Sequence, residues 1–218
     1  MPQILTEDRF RTAHYIVSEA SGYRSREQVV IASGAGILKP GAVLGRLVRG
    51  TTAATAFAGT GTGTITMDAT TPVLPGAKVG AYTATAIAAA VNGGTFRVED
   101  PDGNVIGDIA VGANFADDIQ FVINDGATDF VVGDAFTITV AAGSGKYTPF
   151  NPAAADGSET AAAILYEGCD ATAADVRRTA TVRDSEVHAD VLVWATGVTD
   201  NQKTAALASL AASGIVGR

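Results

Sequence analysis

The sequence has a single cysteine, Cys169, among its 218 residues. No intrachain disulfide can form, so the chain is not built on the cross-linked framework of a small secreted protein. A lone cysteine of this kind reads as a small buried apolar residue. Histidine is almost as scarce, with His14 and His188 alone. Together they fall short of the four N/S ligands that usually close a structural zinc site. A Ser-His-Asp unit drawn from Ser185, His188 and Asp184 lacks the G-x-S-x-G elbow that would expose a nucleophile. A Cys-His pair around Cys169 has no activating base near it in sequence. Basic residues are few: 15 Lys and Arg against 23 Asp and Glu leave a net charge of −8. The weak clusters Arg24/Arg26, Arg46/Arg49 and Arg177/Arg178 do not make the basic footprint that displaces counterions from nucleic acid. No apolar run approaches the ~20 residues that span a bilayer. Residues 1–8 lack the basic-then-apolar layout of a signal peptide, so synthesis in the cytoplasm as a soluble chain is expected.

Alanine, glycine, threonine and valine are abundant, with 25 glycines. β-Branched residues punctuated by glycine favour short strands and tight turns. The fold class expected is mainly β with one C-terminal helix, in one large or two smaller domains. Residues 1–50 join a polar, arginine-bearing stretch to strand-like runs at 29–31 and 43–48, linked through the turn signal Pro40-Gly41. Between residues 51 and 146 the texture changes. Thr51-Thr52-Ala53-Ala54-Thr55 and the alternating Gly-Thr run 59–63 read as a flexible lead-in, and Gly143-Ser144-Gly145 closes the region. Inside it, residues 95–99 and 135–140 alternate apolar and polar with the period of half-buried strands. Pro101-Asp102-Gly103-Asn104 and Asn124-Asp125-Gly126 are hairpin signals. About six strands at such spacing suggest a small antiparallel sandwich or barrel, expected to be an Ig-like or β-sandwich domain inserted into a surface loop.

The last region carries an apolar run, residues 161–166, and strand-like stretches at 179–184 and 189–194. Thr199-Asp200-Asn201-Gln202 then opens a helix as a capping box, and alanine-rich sequence propagates it to a stop near Gly214. Leu207, Leu210 and Ala211 fall on one face, which is expected to dock on a sheet.

Other candidate sites fail on spacing. Asp100-Pro101-Asp102-Gly103-Asn104 puts glycine fourth where a calcium loop of the EF-hand kind needs it sixth, so it reads as a hairpin tip. The 59–63 glycine run has no Lys-Ser/Thr after it and is no phosphate cradle. Glu99, Asp100, Asp102 and Asp108 read as a solvated face. No cofactor, metal or catalytic residue is implied, and the chain is not read as an enzyme.

The phrase Ser18-Glu19-Ala20-Ser21-Gly22-Tyr23-Arg24-Ser25-Arg26, followed by Val43-Leu44-Gly45-Arg46, resembles the lambda-type bacteriophage head decoration, or capsid-stabilising, family. The tail is similar too, in Ile164-Leu165, in Asp190-Val191-Leu192-Val193-Trp194, and in Lys203 to Leu210 followed by Gly214-Ile215-Val216. It departs at Ala195, where the family often has proline. The resemblance covers roughly residues 10–50 and 147–218. It implies a capsid-binding arm at 1–27, a split platform domain at 28–50 and 147–218, and an inserted domain at 51–146 outside the family pattern. It further implies a virion protein, made in the host cytoplasm. That protein would bind the outer surface of the expanded capsid as a homotrimer at three-fold sites of the major capsid protein and stabilise it against DNA pressure. The arm would order on contact, a polar segment folding as it binds. Tyr15, Ile16, Val17, Glu19, Arg24, Arg26 and Glu27 are the expected capsid-facing residues, and Trp194, Leu207 and Leu210 the expected core or trimer packing. Neither nucleic acid nor membrane is an expected partner. The alternative is that the inserted domain captures a host-surface protein or glycan, a role that favours exposed aromatic rings.

Overall fold

The computed structural model describes residues 11–218, and the first ten residues of the expected arm lie outside the described residues. In chain order the strands are β1 (Ile16–Glu19), β2 (Arg26–Ile31), β3 (Gly36–Leu38), β4 (Val43–Arg46), β5 (Arg49–Ala58) and β6 (Thr64–Met67). There follow β7 (Gly80–Ala90), β8 (Gly93–Glu99), β9 (Val105–Ala110), β10 (Asn114–Ala116), β11 (Gln120–Asn124) and β12 (Ala135–Ala142). The last are β13 (Tyr147–Pro149), β14 (Ala161–Leu165), β15 (Cys169–Ala171), β16 (Val176–Thr181), β17 (Ser185–Val187) and β18 (Ile215–Gly217). The helix α1 (Asp200–Ala212) lies between β17 and β18. The protein is therefore mainly β with one C-terminal α-helix among the described residues.

Two compact units divide the chain: Met1–Leu47 with Gly145–Arg218, and Val48–Ser144. In the first, β13, β2, β16, β14 and β4 close into a barrel. Its interior holds Val29, Ile31, Leu44, Ala163, Leu165 and Ala180, which alternate with outward residues along their strands. Gly45 is needed there for close approach: a Cβ on it would meet the Ser158 backbone at 2.5 Å. Tyr147 pairs with Arg46 across β13 and β4, and Leu47 N–H donates to Lys146 at 2.9 Å, so the chain leaves this unit and returns to it at adjacent positions. A second small sheet, β1-β17-β18, and α1 enclose another cluster around Tyr15, Phe150, Ile164, Val187, Leu210 and Ile215. Thr199 caps α1 as a capping box, its side chain accepting from Gln202 N–H while the Gln202 side chain accepts from Thr199 N–H. The buried stripe of α1 runs through Ala206 and Leu210 with Leu207 at its margin. Ala211, expected on that face, is exposed, because it lies a further ~100° round the helix from Leu210.

The second unit holds a five-stranded sheet, β5-β12-β7-β8-β9, and a three-stranded sheet, β10-β11-β6. Both contribute to one core: Tyr82, Phe96, Phe136 and Ile138 come from the larger sheet, Phe115, Phe121 and Ile123 from the smaller. The stretch expected as a flexible lead-in is ordered. Residues 49–58 form β5, antiparallel to β12, and the glycine run after it is fastened by Asp134. That carboxylate accepts from Thr60 N–H and Gly61 N–H, both at 3.0 Å, and from Val131 N–H at 3.1 Å. Gly61 lacks a side chain because a Cβ there would press on the Phe130 ring at 2.7 Å. Residues 189–194, expected as a strand, make a 3-10 turn at Ala189–Val191 and a single bridge of Val193 to Ala42. Val191 faces outward there, so the apolar run satisfies a surface turn rather than a ladder.

Candidate functional site: the turn between β1 and β2

The arginine-rich phrase folds as a clip. β1 pairs antiparallel with β17, a 3-10 turn at Ser21–Tyr23 reverses the chain, and β2 enters the barrel beside β16. The boundary expected at residue 27 falls inside β2, and β1 and β2 pair with β17 and β16 of the first unit. Gly22 (φ 74°) and Tyr23 (φ 58°) both take the left-handed conformation, which glycine adopts freely and tyrosine rarely.

Three of the residues expected to face a capsid are engaged within the unit, Tyr15 buried and Glu19 and Arg26 half-buried. Tyr15 is fully buried, and its hydroxyl lies 2.7 Å from Thr181 Oγ1 and donates to the Ile164 carbonyl at 3.3 Å. Burial pushes its phenol well above the ordinary range, against the hydrogen bond with Thr181. Glu19 and Arg26 pair with each other: Arg26 Nε donates to Glu19 Oε2 at 2.9 Å and Nη2 to Oε1 in a fork. Ser25, itself buried, adds a third donor to the carboxylate at 2.7 Å. Burial works to raise the Glu19 carboxyl, but the bonds from Arg26 and Ser25 outweigh it and hold it below the usual range. The Arg26 guanidinium also lies over two rings, 4.1 Å from the Tyr166 centroid and 4.9 Å from that of Tyr23.

The remaining expected residues stand on the surface. Val17 is 46% exposed and Ile16 is half-buried. Arg24 pairs loosely with Asp184 at 3.3 Å, and Glu27 pairs with Arg183. Tyr23, which the sequence offers no reason to single out, is the most exposed large apolar side chain of this turn, at 69%. Its left-handed backbone follows from the chain reversal at Ser21–Tyr23.

A groove of about 890 Å³ lies elsewhere on the platform unit, lined by His14, Ile37, Lys39, Val191 and Trp194 among others. Trp194 is half-buried and meets Phe150 edge-on at 6.1 Å. Leu210 is fully buried and Leu207 half-buried. Cys169 is buried, which raises its thiol, so it is poorly suited to act as a thiolate. The Asp100 carboxylate is taken up by its own hairpin, accepting from Asp102 N–H and Asn104 N–H at 2.9 and 2.8 Å and from Lys78 Nζ at 2.5 Å. Those donors, Lys78 first, hold it far below the usual range. Among the described residues no three His, Cys, Asp or Glu side chains gather as a metal site, and no helix is long and apolar enough to cross a membrane.

In this fold the ordered charges brace a turn and a hairpin, and exposed side chains cluster on that turn. The family model for bacteriophage lambda head decoration protein D matches residues 4–215, and the chain belongs to that family. The match bounds enclose residues 51–146 as well as the two flanking regions. No curated protein and no solved structure matches the chain. Membership gives the protein a structural role in the phage head, in association with capsid components of the virion.

Proposed function

We propose that the protein binds the outer surface of the expanded capsid as a homotrimer, at three-fold sites of the major capsid protein, and stabilises the head against the pressure of packaged DNA. Family membership over residues 4–215 is the observation that carries this reading. The clip supports where contact falls. Ile16, Val17, Arg24 and Glu27, together with Tyr23, form the capsid-facing surface, while Tyr15, Glu19 and Arg26 hold that surface in shape. A left-handed tyrosine kept on the surface costs backbone energy, which a display role explains. The half-buried Trp194 and Leu207 offer their open sides to trimer packing, with Leu210 as the core residue beneath. A net charge of −8 suits a protein that stays outside the DNA-filled shell.

Val48–Ser144 is read as a β-sandwich-like domain inserted at the β4–β13 hairpin. Its rings Phe96, Phe115, Phe121, Phe130 and Phe136 are buried and Phe57 alone is exposed, at 36%, so a single ring is on offer where a glycan site favours a cluster of them. The test of the contact surface is a Tyr23→Ala/Arg24→Glu variant. Its circular dichroism should match the parent protein while binding to expanded heads falls by about tenfold or more, the size of effect expected from truncating exposed interface anchors. Unchanged head binding would remove this turn from the interface.

A further inference from the structure

The second unit leaves one sheet edge unguarded. β5 ends the five-stranded sheet, and among the described residues the outer edge of positions 51–58 pairs with nothing. From residue 50 to residue 67 the sequence carries no charge and no proline. Charged side chains, proline, bulges and brevity are the usual means of blunting a strand edge, and the unit uses them elsewhere. β9, the opposite edge of the same sheet, is covered by the Arg97–Asp108 ion pair at 3.0 Å and has a register shift at Val98/Glu99. β10 is three residues long and β6 four. β5 is ten residues long; its ladder with β12 runs unbroken from Ala58↔Ala135 to Ala53↔Val140, and only beyond that does a register shift lead to the last pair, Ala142↔Arg49.

We propose that β5 is a docking edge for the β5 strand of a second copy of this protein, joined antiparallel about a two-fold axis. Charge selects this occupant. Two copies of a chain with net charge −8 repel across most of their surfaces, but this strip opposes no like charges when it meets itself. Of the exposed side chains on the strand, Thr51, Thr52, Ala54, Thr55, Ala56 and Ala58 are small enough for two backbones to approach, and the one large one, Phe57, keeps its ring against Phe130 and Phe136. Alternate residues of a ten-residue strand turn N–H and C=O outward, about five on each copy. The pairing is also self-limiting. Once two β5 strands meet, each free end of the joined sheet is a charged, irregular β9 edge, so an isologous pair closes and no fibre grows. On a head that carries many copies, high local concentration strengthens even a weak pairing of this kind.

The test needs no heads, so it stands apart from capsid binding. Hydrogen exchange of the full-length protein is followed as concentration rises, beside sedimentation of the parent protein and of a Thr52→Lys/Thr55→Lys variant, with Thr52→Ser/Thr55→Ser as control. The expected result is about tenfold slower exchange at residues 51–57 in concentrated protein. The parent and serine proteins should then sediment at a larger mass than the lysine variant. Equal masses, or exchange that ignores concentration, would overturn the proposal. Protection that arises only when expanded heads are added would overturn it too, and would give this edge to the capsid.

Discussion

Replacing Arg26 by alanine tests whether the arginine-rich phrase is a folded clip. The change removes a forked ion pair to Glu19 and the guanidinium stacked over Tyr166 and Tyr23. Hydrogen bonds to a charged partner contribute about 1.5–3 kcal/mol, and a ring-stacked cation about 0.5–2 kcal/mol. Solvent reduces both, since the two side chains keep 20% and 21% of their surface exposed. Glu19 also retains its bond from Ser25, so the orphaned carboxylate is not left bare. The net loss expected is about 2–3 kcal/mol. Urea unfolding followed by fluorescence reads it directly, because Trp194 is the one tryptophan and packs against the cluster that contains Tyr15. The pair also sets a pH dependence. Glu19 is held below its ordinary value when folded, so its contribution is complete above the unfolded value of about 4.3 and fades as pH falls through the folded one. The gap between the parent protein and Glu19→Gln should therefore be widest near neutral pH and close in acid. A loss below about 0.5 kcal/mol for Arg26→Ala, the level of an ordinary surface change, would refute the clip. So would a double-mutant cycle with Glu19→Gln that shows no coupling.

Two further perturbations probe the supports of each unit. Thr199→Ala removes the side-chain half of the α1 cap and should cost about 1 kcal/mol in the same fluorescence transition, with Thr199→Asp restoring most of it. Asp134→Ala frees the Thr60, Gly61 and Val131 amides and should destabilise the Val48–Ser144 unit by about 2–4 kcal/mol in calorimetry. Burial opposes ionisation of that carboxylate, and the backbone donors overcome it to hold it below the usual range. Asp134→Ala should also speed exchange at Thr60 and Gly61 while leaving the Trp194 transition in place, whereas unchanged exchange would mean that the glycine run is fastened by other contacts.

How much could be read in advance followed the range of the interactions. The alternation in β8 and β12 and the Thr199–Gln202 box are settled by residues within one or two turns of each other, and both stand as expected. Tyr15 shows the opposite. Its hydroxyl partners lie 149 and 166 residues away, so a tyrosine in a polar stretch gave no sign of being core. The phrase containing Glu19 and Arg26 is legible as unusual, but their pairing is not, because only the Ser21–Tyr23 turn brings them together. The glycines at 59, 61 and 63 looked like slack. They are bare because Asp134 and Phe130 crowd the chain there, a constraint set some seventy residues downstream. β5 was hidden for a related reason: threonine and alanine carry no apolar period when a strand's outer side faces water.

The central claim is that the protein acts by seating on the phage head. Solution mass measured alone and then with expanded heads tests it most directly, in the intact chain. The account predicts a homotrimer that moves into the head fraction as heads are added and raises their resistance to rupture. A stable monomer that stays behind while the heads sediment would contradict it.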